Sequence, residues 1–107
     1  MDYKFVSDCG YECQLVKNVY GIYCGYVQLP KHHPYYNKNY DDILDLDLNF
    51  NLTYGKNGKF GFDCWSNLKS SELIELFKTK NYNGKWNFKK VKRETENMAR
   101  QFKLLEN

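Results

Sequence analysis

Few residues of this sequence interrupt a chain or staple it. Among 107 residues there are two prolines, seven glycines and four cysteines. So little proline and glycine excludes collagen-like and low-complexity classes. Four cysteines are too few for a disulfide scaffold at this length. The longest nearly apolar run, Val19 to Val27, has nine residues, and a membrane-crossing helix needs about 20. The opening, MDYKFVSD, lacks a basic segment followed by an apolar one, so no secretory signal is expected. Without export, Cys9, Cys13, Cys24 and Cys64 are expected to stay reduced thiols. No fixed period recurs, which excludes a solenoid. A Gly-rich phosphate loop, HExxH and GxSxG are all missing.

What the sequence does have is aromatic side chains, at 18% of residues. Each buries a large area, which favours a packed core over disorder. The length suits one domain that buries roughly two-thirds of its unfolded surface. The net charge is only +3, but it is unevenly placed. Residues 1 to 77 sum to −3 and residues 78 to 107 to +6.

Patterning places the elements. Tyr3 to Val6 reads as a strand. Tyr11, Cys13 and Leu15 alternate with Glu12 and Gln14, as in a half-buried strand. Ile22 to Leu29 reads as a central strand buried on both faces, ended by Pro30. Lys31 to Tyr40 is irregular, because Pro34 disfavours helix at His33. Asp45, Asp47, Asn49, Asn51 and Thr53 interleave with Leu46, Leu48, Phe50, Leu52 and Tyr54, which predicts another strand. Asn57-Gly58 predicts a hairpin turn into a partner strand from Lys59 to Cys64.

Beyond Trp65 the period changes. Ser71 is placed to cap a short helix running to Phe77, and Asn87 to cap the last one. Phe88, Val91, Thr95, Met98, Phe102 and Leu105 form one helical stripe about five turns long. The expected fold is α+β, a single domain over 1–107, mainly β to residue 65 and mainly helical from residue 70. It consists of an antiparallel sheet of about five strands, with a short helix and a long C-terminal helix packed on one face.

The candidate chemistry is sparse. Asp45-x-Asp47-x-Asn49 opens like a calcium loop, but Phe50 and Lys56 stand where Gly and Glu are needed. Cys9-x-x-x-Cys13, with His32, His33 and Cys64, lacks the two tight ligand pairs of a zinc site. A thiol or metal enzyme built from His33, Asp63 and Cys64 needs an electropositive, partly exposed cysteine, and no helix start is expected there. The cysteines read better as small buried hydrophobes, and no cofactor is expected.

Binding surfaces are better supplied. His33, Tyr35 and Tyr36 lie in the irregular loop, where rigid aromatics suit recognition. The alternative is a loop folded on its own aromatic side chains. Lys89, Lys92 and Arg93 belong to the basic surround of the last helix, a second candidate surface for phosphates or an acidic protein. The plainer alternative is a solvated helix face.

Several segments occur together in one order. They are Gly10-Tyr11-Glu12-Cys13, Cys24-Gly25-Tyr26-Val27, Pro30-Lys31 with His33-Pro34-Tyr35, Leu52-Thr53-Tyr54, Phe60-Gly61-Phe62-Asp63-Cys64, and the helix from Val91 to Ala99. In these the chain resembles a family of small, largely uncharacterised proteins encoded by bacteriophages and prophages. The chain departs from that family at Leu48 to Tyr54, where relatives often read Val-His-Gly-Gly-Leu-Thr-Tyr. It departs again at Cys64-Trp65-Ser66, where they often read Cys-Ala-His. The resemblance implies a counter-defence protein of the anti-CRISPR type, or another immune inhibitor, acting in the bacterial cytoplasm. The two missing histidines favour stoichiometric binding over catalysis. The implied partner is a host defence protein or its nucleic-acid complex, with a nucleotide immune signal as an alternative and no membrane partner. Nucleotide or nucleic-acid binding through the basic C-terminal helix is the other reading.

Overall fold

The computed structural model describes residues 2–62, 68–80, 84 and 86–106. Five strands form one antiparallel sheet in the order β1-β2-β3-β5-β4. They are β1 (Asp2–Val6), β2 (Glu12–Lys17), β3 (Tyr23–Gln28), β4 (Tyr54–Lys56) and β5 (Lys59–Phe62). Two helices follow, α1 (Ser70–Thr79) and α2 (Phe88–Leu104). This is the α+β architecture expected from the sequence, with the long helix at the C-terminus.

Side chains alternate across a strand, so the register assigns each residue to a face. Cys13 pairs with Val27 and Leu15 with Gly25, and Gly25 and Val27 pair with Phe62 and Phe60. These residues share one face. Val91, Thr95, Met98 and Phe102 of the α2 stripe are fully buried, as are Leu15, Val27 and Phe60. Asn87 caps α2, its side-chain oxygen accepting from the Lys90 N–H at 3.0 Å. Gly25 sits where helix and sheet come closest. A Cβ there would clash with Thr95 Oγ1 and lie 2.8 Å from Phe62 Cε1.

The short helix takes the other side of the sheet. Leu76 of α1 is buried in a second cluster with Ile22 and Cys24, flanked by Val16, Tyr20 and Tyr26. Cys24 and Val16 are register partners, and by strand parity both point away from α2. The two helices therefore do not share a face. The α1 helix begins at Ser70 with Lys69 as its N-cap, two residues earlier than a Ser71 cap would place it. The Glu72 carboxylate accepts from the Lys69 N–H at 3.0 Å and satisfies one of the free donors at this helix start.

The alternating stretch from Asp45 to Tyr54 enters the sheet only at its end, with β4 beginning at Tyr54. The alternation itself is real. Phe50 is buried and Leu46, Leu48 and Leu52 pack against the core, while Asp45, Asp47 and Asn49 are exposed. The sheet takes up the segment only from Thr53, whose N–H donates to the Gly61 carbonyl at 3.0 Å; earlier residues turn to α2 side chains. The Asp47 N–H donates to Gln101 Oε1 at 2.7 Å, and Gln101 Nε2 donates to the Asp47 carbonyl at 2.7 Å. Asn49 Nδ2 donates to Glu94 Oε1 at 2.9 Å. That bond explains a buried carboxylate on the inner side of α2, since buried charges need polar partners.

The hairpin turn is as expected, with φ of 52° at Asn57 and 80° at Gly58. One expectation about the cysteines fails. Cys9 and Cys13 are free thiols, but Cys24 is disulfide-bonded. Compartment arguments concern bulk redox conditions. Disulfide formation also requires two sulfurs brought into contact, and only the tertiary fold decides that.

Candidate functional site

The loop residues are tied down. His33 is only 3% exposed. Its Nδ1 accepts the Tyr35 N–H at 3.0 Å, so the proton is on Nε2, which donates to the Phe102 carbonyl at 2.7 Å. The ring thus joins the loop to the last turn of α2, adding a second bond to a carbonyl that also accepts the Leu105 N–H at 3.1 Å. Tyr35 is half-buried beside it, 5.7 Å from the His33 ring and 6.4 Å from Phe102 between centroids. Its hydroxyl donates to the Asp45 carboxylate, which raises the phenol pKa above 10.0. Lys38 Nζ lies 4.8 Å from the Tyr35 ring centre. Tyr36, also half-buried, covers Gly58 at the hairpin turn. The loop is thus packed on its own aromatic rings.

The basic candidates lie elsewhere. Lys89 and Arg93 are exposed one turn apart near the start of α2. Lys92 pairs with Glu96 at 3.7 Å and lies 4.8 Å from the Phe5 ring centre. His33 meets α2 at Phe102, 13 residues beyond Lys89, which is about 20 Å along a helix axis. The loop and the basic helix start are therefore two separate surfaces. Asp63 and Cys64 lie outside the described residues. Among the described residues, no group of three His, Cys, Asp or Glu side chains is arranged to hold a metal ion.

A cluster at the C-terminus was not visible in the spacing. The Tyr11 hydroxyl donates to Glu106 Oε2, and Lys103 Nζ donates to Oε1 at 3.0 Å. His32 Nε2 lies 3.6 Å from the same oxygen. The hydrogen bond from Tyr11, followed by that from Lys103, lowers the Glu106 carboxyl to about 2. Burial first, and then the bond to this carboxylate, raises the Tyr11 phenol. Burial also pushes the Cys13 thiol up to about 12, so it is not a ready nucleophile.

The more open ground is the sheet face opposite α2, beyond the end occupied by Leu76. Two rows of side chains cross it in register. One runs Lys4, Gln14, Tyr26, Gly61 and Tyr54; the other runs Val6, Glu12, Gln28, Lys59 and Lys56. A Cβ at Gly61 would strike the Tyr26 ring, so the glycine lets that ring lie over β5. Tyr26 meets Tyr54 at 5.6 Å with an interplanar angle of 83°. Lys59 Nζ donates to Gln14 Oε1 at 2.9 Å and lies 4.9 Å from the Tyr26 ring centre. A recess of about 350 Å³ is lined by Lys4, Glu12, Gln14, Tyr26, Gln28 and Lys59, among others, and it falls within the usual size range of ligand pockets. The sequence hid this patch because Ile22 to Leu29 looks apolar throughout, and Tyr26 then reads as core. The polar alternation of Glu12 and Gln14 was its one sequence signal.

No family model matches the chain, and no curated protein or solved structure is similar to it. Among the described residues, no helix is long and apolar enough to cross a membrane.

Proposed function

We propose that this chain is a non-catalytic binding protein, of the phage counter-defence type that the family resemblance implies. In this reading it acts stoichiometrically, inside the bacterial cell, on a host defence protein or its nucleic-acid complex. The observation that carries the binding role is the sheet face, where Tyr26, Lys4, Lys59 and two glutamines line a recess and Tyr54 and Lys56 continue the same rows. Aromatic rings on a rigid sheet lose little entropy on binding, and a preorganised surface needs no folding step to engage a partner. Pull-down with the tagged protein from immune-competent bacteria is expected to recover one defence component. If nothing is recovered, and expression leaves every tested immune system intact, the proposal fails.

A second reading places nucleic acid on the exposed Lys89 and Arg93 of α2. It predicts binding that weakens steeply with salt and is lost on Lys89→Glu/Arg93→Glu.

A further inference from the structure

We propose that the open sheet face binds single-stranded nucleic acid, with bases against Tyr26 and Tyr54 and phosphates on Lys4, Lys56 and Lys59. This rests on the binding role above and names the ligand class for that surface. Single-strand sites combine aromatic rings for sequence-tolerant stacking with cations that follow the backbone. Here both are on one surface. Tyr54 is 39% exposed, and the T-shaped pair gives one base a ring face and a neighbouring ring edge.

The face is slightly positive within an acidic part of the chain. Residues 1 to 77 are net −3, yet the strand side chains of this face carry Lys4, Lys56 and Lys59 against Asp2 and Glu12. Asp2 is engaged with Gln14 Nε2 at 2.9 Å. Lys59 rests over the Tyr26 ring. A phosphate that draws the ammonium away uncovers that ring for a base, so the two contacts are made together. Gln14 and Gln28 hold the surface in shape: Gln14 bonds Asp2 and Lys59, and Gln28 Nε2 donates to the Leu29 and Asn57 carbonyls at 3.0 and 3.1 Å.

Two features select a single strand. From β1 to β4 the face crosses four strand spacings, about 19 Å, which separates Lys4 in one row from Lys56 in the other by more than one nucleotide. The face of a five-stranded sheet also presents no helix or two-stranded ribbon to enter a duplex major groove. Lysine is depleted at protein interfaces, so the composition favours phosphates over a protein surface.

The test is fluorescence anisotropy with labelled oligo(dT) and oligo(rU), across a salt series, with thymidine and uridine monophosphates as competitors. Wild type is expected to bind, with a log–log salt slope of about −2 for three neutralised phosphates. Tyr54→Ala is expected to weaken binding roughly 5- to 100-fold through lost stacking. Lys56→Glu/Lys59→Glu is expected to weaken it further and flatten the slope, and Lys59→Gln to do so more mildly. Lys89→Glu/Arg93→Glu is expected to change nothing. Circular dichroism checks that each variant folds.

No binding at low salt overturns the inference, as does an unchanged Kd in folded Tyr54→Ala. Loss confined to the helix variant overturns it in favour of the α2 reading. Monophosphates that compete as well as the oligomers, nucleotide for nucleotide, overturn the strand in favour of a free nucleotide. A defence protein recovered by pull-down, without oligonucleotide binding, removes this inference and leaves the proposed function standing.

Discussion

Gly25→Ala adds one methyl group at the closest approach of α2 to the sheet. That methyl has nowhere to go. It would overlap Thr95 Oγ1 and lie 2.8 Å from Phe62 Cε1. Thr95 cannot swing aside at low cost, because its hydroxyl donates to the Val91 carbonyl at 2.8 Å and β-branched side chains are stiff at χ1. Phe62 is backed by Phe50, with ring centroids 3.6 Å apart. Overpacking of this kind costs about 1–3 kcal/mol. A more restricted unfolded chain offsets about 0.4–1 kcal/mol of it. The expected net loss is about 1–2 kcal/mol, a fall in Tm of roughly 5–15 °C at this chain length.

The cause is separable from the loss. Thr95→Ala alone removes a buried hydroxyl and should cost about 1 kcal/mol. In the double variant the added methyl meets space in place of Oγ1, so the two losses should not add. A favourable coupling of about 1 kcal/mol is expected, with a residue left by Phe62. Urea denaturation followed by circular dichroism measures all four corners of the cycle. If Gly25→Ala stays within about 0.5 kcal/mol of wild type, or the cycle is additive, the close packing of α2 on Gly25 is wrong.

Other outcomes follow from the same structure. His33→Ala should cost about 2–4 kcal/mol, because it opens a cavity, strands the Tyr35 N–H and removes one of two bonds to the Phe102 carbonyl; thermal melts of the variant check this. The Glu106 carboxyl is lowered from 4.5 to about 2, so its contribution is fully present above pH 4.5 and is lost as pH falls toward 2. Glu106→Gln and Tyr11→Phe should each flatten the stability profile over that acid window, read as denaturant midpoint against pH. Alkylation followed by peptide mass spectrometry should label half-exposed Cys9 first. Cys13, buried and with its thiol pushed up to about 12, should react only on unfolding, and Cys24 only after a reductant is added. Early labelling of Cys13 or Cys24 would contradict the packing or the disulfide.

The helix stripe was legible in the sequence because burial at Val91, Thr95, Met98 and Phe102 follows from the 3.6-residue repeat, a local property of the chain. The same holds for the period of two in β2 and for the Asn57-Gly58 turn, whose positive φ values those residues tolerate best. Local physics also identified the buried side of Leu46 to Leu52. It could not supply a strand, because a ladder needs a neighbouring strand, and the Asp47 and Asn49 N–H groups instead meet the side chains of Gln101 and Glu94, some 45 to 54 residues away.

The candidate site divides in the same way. The sequence by itself determined that Tyr35 and Tyr36 lie in an irregular loop and that Lys89 and Arg93 ride on a helix. Only the tertiary structure decided that His33 is a buried tie to Phe102, that the loop and the basic turn are separate surfaces, and that Cys24 finds a sulfur partner. It also decided that Lys4, Gln14, Tyr26 and Tyr54 stand in one row. These are relations between distant residues, set by strand register and by the face each helix covers. No local period encodes register, so a surface assembled from four strands became visible only once the sheet was formed.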